Sequence, residues 1–273
     1  MKKLKQASYL AAAILFSLSA CEKSESVAVK EEKLPKTKPG NNNQVLWTDF
    51  MNDGFDTGWT QDVENGGSWW LQTSTGINWA IVHNTTPNVK GRAEVSRRLT
   101  YYTGVDKTVI VKGKFKLETT ADGFTNTGGW ILQTMAWSFT APSGKKEYKP
   151  LVVARMLPNA LEYLVYDYVW DAGGNPVVKS GFPIVRTVSA ANMLGQTVEL
   201  ALTIKFSNTS TGSVRANLNG TNVTAANYDG ITYPTIFPTA NQQIQWKGGN
   251  YPSYPGTAHS KIGVFYLYTD QAQ

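Results

Sequence analysis

The sequence predicts an all-β fold, a two-sheet antiparallel sandwich or jelly roll, on three observations. Only 17% of the 273 residues are charged, below the roughly 25% of an ordinary soluble domain. Tryptophan (9), tyrosine (13) and glycine (24) are plentiful instead, and aromatic and turn-forming residues suit strands and their connections. No segment holds a 3.6-residue apolar period for three turns, so no long amphipathic helix is expected. Alternating or β-branched runs recur at short intervals between Gly, Asn, Pro and Asp, and about ten such runs in one chain make a sandwich.

The chain opens on an address rather than on the fold. Lys2, Lys3 and Lys5 precede an apolar stretch at 9–18, which ends in Leu18-Ser19-Ala20-Cys21. A basic start and a short apolar core make a bacterial signal peptide, too short for a comfortable transmembrane helix. The Leu-Ser-Ala-Cys end resembles the lipobox of bacterial lipoproteins, which implies a lipid on Cys21 and an exported, membrane-anchored protein of the outer membrane or cell surface. Residues 22–44, rich in Lys, Glu, Ser and Pro, read as a solvated tether. A single domain is then expected over 45–273.

The strand-like runs follow in order at 45–50, 79–83, 92–102, 108–117, 130–139, 151–156, 161–169, 197–206, 213–218 and 261–268. The lone cysteine excludes a disulfide framework and a Cys-based zinc site, and two histidines are too few for a His-rich catalytic metal centre. Half of the formal charge of +6 comes from the three lysines of the leader. The nearly neutral remainder argues against a nucleic-acid partner and only mildly for an acidic ligand.

Several strands carry more polarity than a core needs. In the 92–98 run, period two puts Arg92, Glu94, Ser96 and Arg98 on one face, either as a salt-bridged exterior or as part of a site. Gln133 shares a face with Met135 and Trp137 inside an otherwise apolar run, where a buried amide needs a partner or a ligand. The turn at Pro142-Ser143-Gly144 is expected to bring Arg155 roughly opposite Gln133. Near the C-terminus, His259, Lys261 and Phe265 share a face. If these faces coincide, they make a cationic, amide-lined groove for a carboxylated or sulfated chain. Lys112, Lys114 and Lys116 alternate along the 108–117 run as a solvated outer face or a polyanion contact.

Taken in chain order, these residues resemble the jelly-roll (concanavalin A-like) polysaccharide lyases that act on alginate, glucuronan, heparin and ulvan. That group carries an Arg-x-Glu-x-Arg strand, a Gln-x-His strand and a Tyr-x-Lys-x-Gly-x-Tyr strand. Arg92-Ala93-Glu94 matches the first, with the second arginine at Arg97 or Arg98. Gln133-Thr134-Met135 stands at the second without its histidine, and His259–Phe265 stands at the third without its tyrosines. The opening Trp47-Thr48-Asp49-Phe50, with Gly54, Phe55, Gly58 and Trp59, looks like the first strand of the same sandwiches. The resemblance implies an acidic polysaccharide as substrate and a monomer. It implies no cofactor for catalysis, and a structural calcium between first and last strands with Asp49 and Asp270 as ligands.

A uronate lyase neutralises the C6 carboxylate, removes the C5 proton and protonates the departing C4 oxygen. Gln133 and Arg92 fit the neutralising task, since charge builds on the carboxylate as the proton leaves. Met135 cannot exchange a proton, so the arrangement of the alginate enzymes does not carry over. Ulvan lyases of this type are understood to use a lysine and a tyrosine, which makes ulvan the first candidate polymer, ahead of alginate and glucuronan. Lys149 is then the leading base and Tyr254 the leading acid, with Tyr166 and Tyr268 as rivals. His83 is the replacement for the lost histidine, as in glucuronan-type relatives, or a structural residue. Arg98, Arg155, Trp137, His259 and Lys261 are the expected substrate-binding residues. The alternative is a surface glycan-binding lipoprotein on the same fold whose catalytic groups have decayed. A retaining glycosidase is disfavoured, because no pair of acids shares a strand of the groove.

Overall fold

The computed structural model describes residues 47–50, 59–84, 91–99, 107–119, 127–207, 209, 211–224, 243–252 and 258–272. The leader, Cys21 and the segment 22–44 lie outside them. Every regular element described is a β-strand: β1 (Trp47–Phe50), β2 (Thr60–Glu64), β3 (Gly67–Gln72), β4 (Ile77–Asn84), β5 (Arg92–Leu99), β6 (Lys107–Leu117), β7 (Gly129–Thr140), β8 (Lys146–Leu157) and β9 (Ala160–Val165). They continue with β10 (Tyr168–Trp170), β11 (Pro176–Val178), β12 (Ile184–Ser189), β13 (Thr197–Phe206), β14 (Ser213–Leu218), β15 (Thr221–Asn222), β16 (Gln243–Tyr251) and β17 (Ala258–Ala272).

Two large antiparallel sheets form. The eight-stranded sheet runs β15-β14-β13-β6-β17-β4-β3, with β1 added on β17, and the seven-stranded sheet runs β12-β9-β8-β7-β16-β5-β2. β10 and β11 form a separate short ribbon. Hairpins such as β7-β8-β9 and β13-β14-β15 alternate with crossovers that pair β6 with β17 and β16 with β5, as a jelly roll requires. The all-β sandwich expected from composition is the fold observed.

Period two explains which face each strand buries. β13 alternates strictly, with Val198, Leu200, Leu202, Ile204 and Phe206 buried and the residues between them partly exposed. β6 does the same through Val109, Val111, Phe115 and Leu117. In the other sheet, Ala93, Val95, Leu132, Ala136, Val152, Ala154 and Trp246 join the same core cluster. The core therefore lies between the sheets, and each sheet keeps an outer face for other work.

Candidate functional site

Three adjacent strands of the seven-stranded sheet place the polar residues. β16 lies between β5 and β7, and β2 flanks β5. Because Ala93, Val95, Leu132, Ala136, Ile244 and Trp246 face the core, alternation turns Arg92, Glu94, Ser96, Gln133, Gln245 and Lys247 to the outer face. Register sets Lys247 between Gln133 and Ser96, and Glu94 between Gly249 and Asp62.

These side chains are on the outer face yet buried. Glu94 is 1% exposed, Lys247 3%, Gln133 4% and Gln245 5%, so each must find partners. The Gln133 amide nitrogen donates to Glu94 Oε1. Lys247 Nζ donates to Asp62 Oδ2 at 2.6 Å and stands 3.8 Å from Glu94 Oε2. Arg92 reaches the same Asp62 oxygen at 2.9 Å and Glu64 at 3.3 Å. Gln245 Oε1 and Glu94 Oε2 have no hydrogen-bond partner among the described residues.

The expected cationic groove is corrected by this arrangement. Asp62 and Glu64 arrive on β2, a strand absent from the sequence reading, and with Glu94 they face Arg92 and Lys247. Among the described residues, this cluster holds more carboxylates than cations. Burial pushes the Glu94 carboxyl above its ordinary value, against the pull of Lys247, Arg92 and the Gln133 hydrogen bond. Burial also acts upward on Asp62, but the hydrogen bond and charge of Lys247, together with Arg92, outweigh it and hold Asp62 low. For Arg92 the downward push of burial is overcome by Asp62, Glu94 and Glu64, and its guanidinium is held above the ordinary value.

Tyr251 completes the cluster. A register shift lies between Gly248 and Tyr251, and Gly249 has φ +139. A Cβ at Gly249 would come within 2.4 Å of the Ala93 carbonyl oxygen and 2.9 Å of Glu94 Cα, so only glycine fits. Beyond this bulge the Tyr251 ring meets Trp130 edge-on at 5.1 Å, with the Arg92 guanidinium 5.0 Å from its centroid. Between them Asn250 is fully buried. Its Nδ2 donates to the carbonyls of Ala80 at 3.1 Å and Ser260 at 3.0 Å, and its Oδ1 accepts from Ser260 Oγ at 3.3 Å. One amide thus ties β16 to β4 and β17 of the opposite sheet.

The structure brings Arg92 and Gln133 together but separates other expected residues. Gln133 faces Val153, and Arg155 faces Trp130, where it pairs with Glu162 at 2.6 Å. The register is fixed at the turn, where Thr140 faces Lys146, and the irregularities between there and Gln133 cancel, so Gln133 meets Val153, two residues short of Arg155. Lys149 pairs with Ala136 and binds Glu147 at 3.1 Å; it lies four positions from Val153, roughly 13 Å along the strand. Lys261 sits in the other sheet, over the rings of Trp70 and Trp79 at 5.3 and 4.6 Å, so its face does not join the Gln133 face. Tyr166 stacks on Tyr168 at 6.1 Å, and Tyr268 lies opposite Lys112.

His83 belongs to β4, opposite His259 of β17. Its N–H donates to the Gly66 carbonyl at 2.9 Å. The next residue, Gly67, packs so closely on β5 that a Cβ would reach within 1.7 Å of the Arg92 carbonyl oxygen. Because Ala80 and Val82 face the core, alternation turns the His83 side chain to the outer face of the eight-stranded sheet, the face of Lys261, away from the Gln133 face. For Arg98, Trp137, Asp49 and Asp270 the described strand positions fall opposite Gln245, Gln243, Leu267 and Ile110. Arg97 falls opposite the core residue Trp246. Asp49 and Asp270 are three register steps apart on the β1–β17 ladder. Among the described residues no group of three or more His, Cys, Asp or Glu side chains gathers as a metal site. Tyr254 lies outside the described residues.

The residues missed are Asp62, Gln245, Lys247 and Tyr251. A signal for them exists: Lys247-Gly248-Gly249-Asn250-Tyr251 satisfies Lys-x-Gly-x-Tyr, the pattern sought at His259–Phe265. It keeps one more motif residue there, and its strand lies beside Gln133.

No protein-family model matches the chain, and no curated protein matches it. Among solved structures, an endo-β-1,4-glucuronan lyase from the fungus Trichoderma reesei is similar over 84% of this chain and 95% of its own, with 14% identity and a TM-score of 0.58. An alginate lyase, A1-II', of polysaccharide lyase family 7 is similar over 80% of this chain and 96% of its own, with 15% identity and a TM-score of 0.49. The first likeness is one of fold and agrees with the jelly-roll sandwich described above.

Proposed function

We propose that the protein is a lyase that cleaves a uronate-containing polysaccharide by β-elimination at the outer face of the seven-stranded sheet. The observation that carries this reading is the convergence of Arg92-x-Glu94, Gln133 and Lys247-x-Gly249-x-Tyr251 on three neighbouring strands. Likeness to the fold of a glucuronan lyase supports it and puts glucuronan first among the polymers. Ulvan and alginate follow. Ulvan rested on a lysine base, and Lys149 is bound to Glu147 away from this cluster.

The amides of Gln133 and Gln245 are neutral donors able to meet a carboxylate whose charge grows as the C5 proton leaves. Tyr251 supplies the hydroxyl that exchanges a proton. As the C4–O bond breaks, this hydroxyl gives its proton to the departing C4 oxygen. Its oxygen takes the C5 proton in turn, and the electrons of the C5–H bond form the C4–C5 double bond. The Arg92–Asp62–Lys247 network fixes the floor on which Glu94 holds Gln133 in place. The alternative, a binder that retains the face without turnover, is favoured by Met135 at the position where a proton-exchanging histidine is expected.

The test is the ultraviolet absorbance of the unsaturated uronate, followed separately on glucuronan, ulvan, alginate and heparin. A rise on one polymer establishes the reaction and names the substrate. Gln133→Ala then lowers turnover, whereas in a binder it lowers affinity alone; flat traces on every polymer, with binding retained, would sink the lyase.

A further inference from the structure

The outer face of the eight-stranded sheet, on the opposite side of the sandwich, carries a second arrangement that the lyase reading does not use. Lys112, Lys114 and Lys116 alternate along β6, about 6.8 Å apart. Each lies over an aromatic ring, of the neighbouring β17 for Lys112 and Lys114 and of β4 beyond it for Lys116. Lys112 stands 5.0 Å from the centroid of Tyr268 and 5.7 Å from that of Tyr266. Lys114 stands 5.4 Å from Phe265, and Lys116 6.0 Å from Trp79. Lys261, between Trp70 and Trp79, extends the row across β17 toward β3. Trp70 is 49% exposed at its end.

The charge on this face is unbalanced. Glu199 stands 3.7 Å from Lys112 and accepts from the Tyr266 hydroxyl, and Glu118 at the end of β6 bonds Thr119. Among the described residues no carboxylate lies within ion-pair distance of Lys114 or Lys116. Rings beneath these ammonium groups hold them in a row without neutralising them.

We propose that this face is a second binding site for an anionic polysaccharide, separate from the candidate catalytic face. A linear row of cations ending in one exposed indole matches a chain that repeats a carboxylate or sulfate and offers sugar rings for stacking. A lipid surface would demand a broad apolar patch, and here the exposed apolar area is a single ring. The choice of polymer rests on the lyase reading, and the site holds a long substrate on the protein while its other face works on it.

The test is affinity electrophoresis of the full-length chain through gels containing glucuronan, alginate or neutral hydroxyethylcellulose. The variants are Lys114→Glu with Lys116→Glu, and separately Trp70→Ala, each checked for unchanged Tm. Retardation by the acidic polymer is expected to weaken on the order of tenfold in the charge-reversed protein and several-fold in Trp70→Ala. Mobility in the neutral gel and turnover of short oligosaccharides stay unchanged. Equal retardation of variant and parent would overturn the proposal, as would Lys114-dependent capture by phosphatidylglycerol vesicles with no glycan retardation. Retardation that depends on these lysines in a protein without elimination activity would sink the lyase reading and leave this site standing.

Discussion

Glu94 and Asp62 are neighbours across one ladder and titrate in opposite senses. Asp62 is held below 3.8, so its contribution to stability is present above that pH and is lost as pH falls through the lowered value. Glu94 is held above 4.5 by burial. The native state therefore binds this proton more tightly than the unfolded chain, a contribution fully present below 4.5 and lost as pH rises through the raised value. Tm measured against pH should lose part of its acid limb in Asp62→Asn, and in Glu94→Gln part of its fall as pH rises above 4.5. An unchanged profile in both variants would mean the network does not couple to folding. At the same scale, Tyr251→Phe removes the proton-exchanging hydroxyl and leaves the ring between Trp130 and Arg92. Elimination should drop by about 10²–10⁴-fold with polymer binding retained, read by absorbance and by gel retardation on the same preparation.

At the level of elements, β16 decides how the site is assembled and was the hardest strand to read. No strand-like run is expected over it, because its Gly248-Gly249 pair breaks the alternation and glycine weakens strands. The reason for the pair is tertiary. A Cβ at Gly248 would meet Leu267 of the opposite sheet at 2.7 Å, and one at Gly249 would meet the backbone of β5. By contrast, β5, β6 and β13 were legible because alternation of apolar and polar residues records which face meets the core. Alternation marks a polar face without stating which sheet the strand joins. That is why Lys261 was grouped with Gln133 although β17 lies across the core from it. Asn250, the tie between the sheets, is the element-scale test. Asn250→Ala strands the buried carbonyls of Ala80 and Ser260 and the Ser260 hydroxyl, and should cost about 2–4 kcal/mol for three lost bonds, measured by urea unfolding. Catalysis should fall with it, since Tyr251 is the next residue; full stability in this variant would show that water replaces the amide.

For the whole molecule, composition was enough for the fold class and chain order was not enough for the topology. The eight-stranded sheet is held together by β17, which pairs with β6 along one edge and with β4 and then β1 along the other. No hairpin joins it to any of these strands, so its place is set by long-range register, which local sequence does not encode. Removing 258–273 should leave β15-β14-β13-β6 and β4-β3 as separate fragments with no common centre. The expected product is aggregated or proteolysed in a solubility assay, and a soluble, cooperatively melting truncation would refute this role.

That position also has a temporal consequence. The strand on which half the sandwich closes follows every strand it pairs with, so that sheet cannot close until its last partner has been made. Pairings this distant in sequence form slowly, and until they form the apolar faces of β4, β6 and β13 remain uncovered. Until β17 arrives that sheet is two open pieces, each with a bare edge on which a strand of another chain could settle.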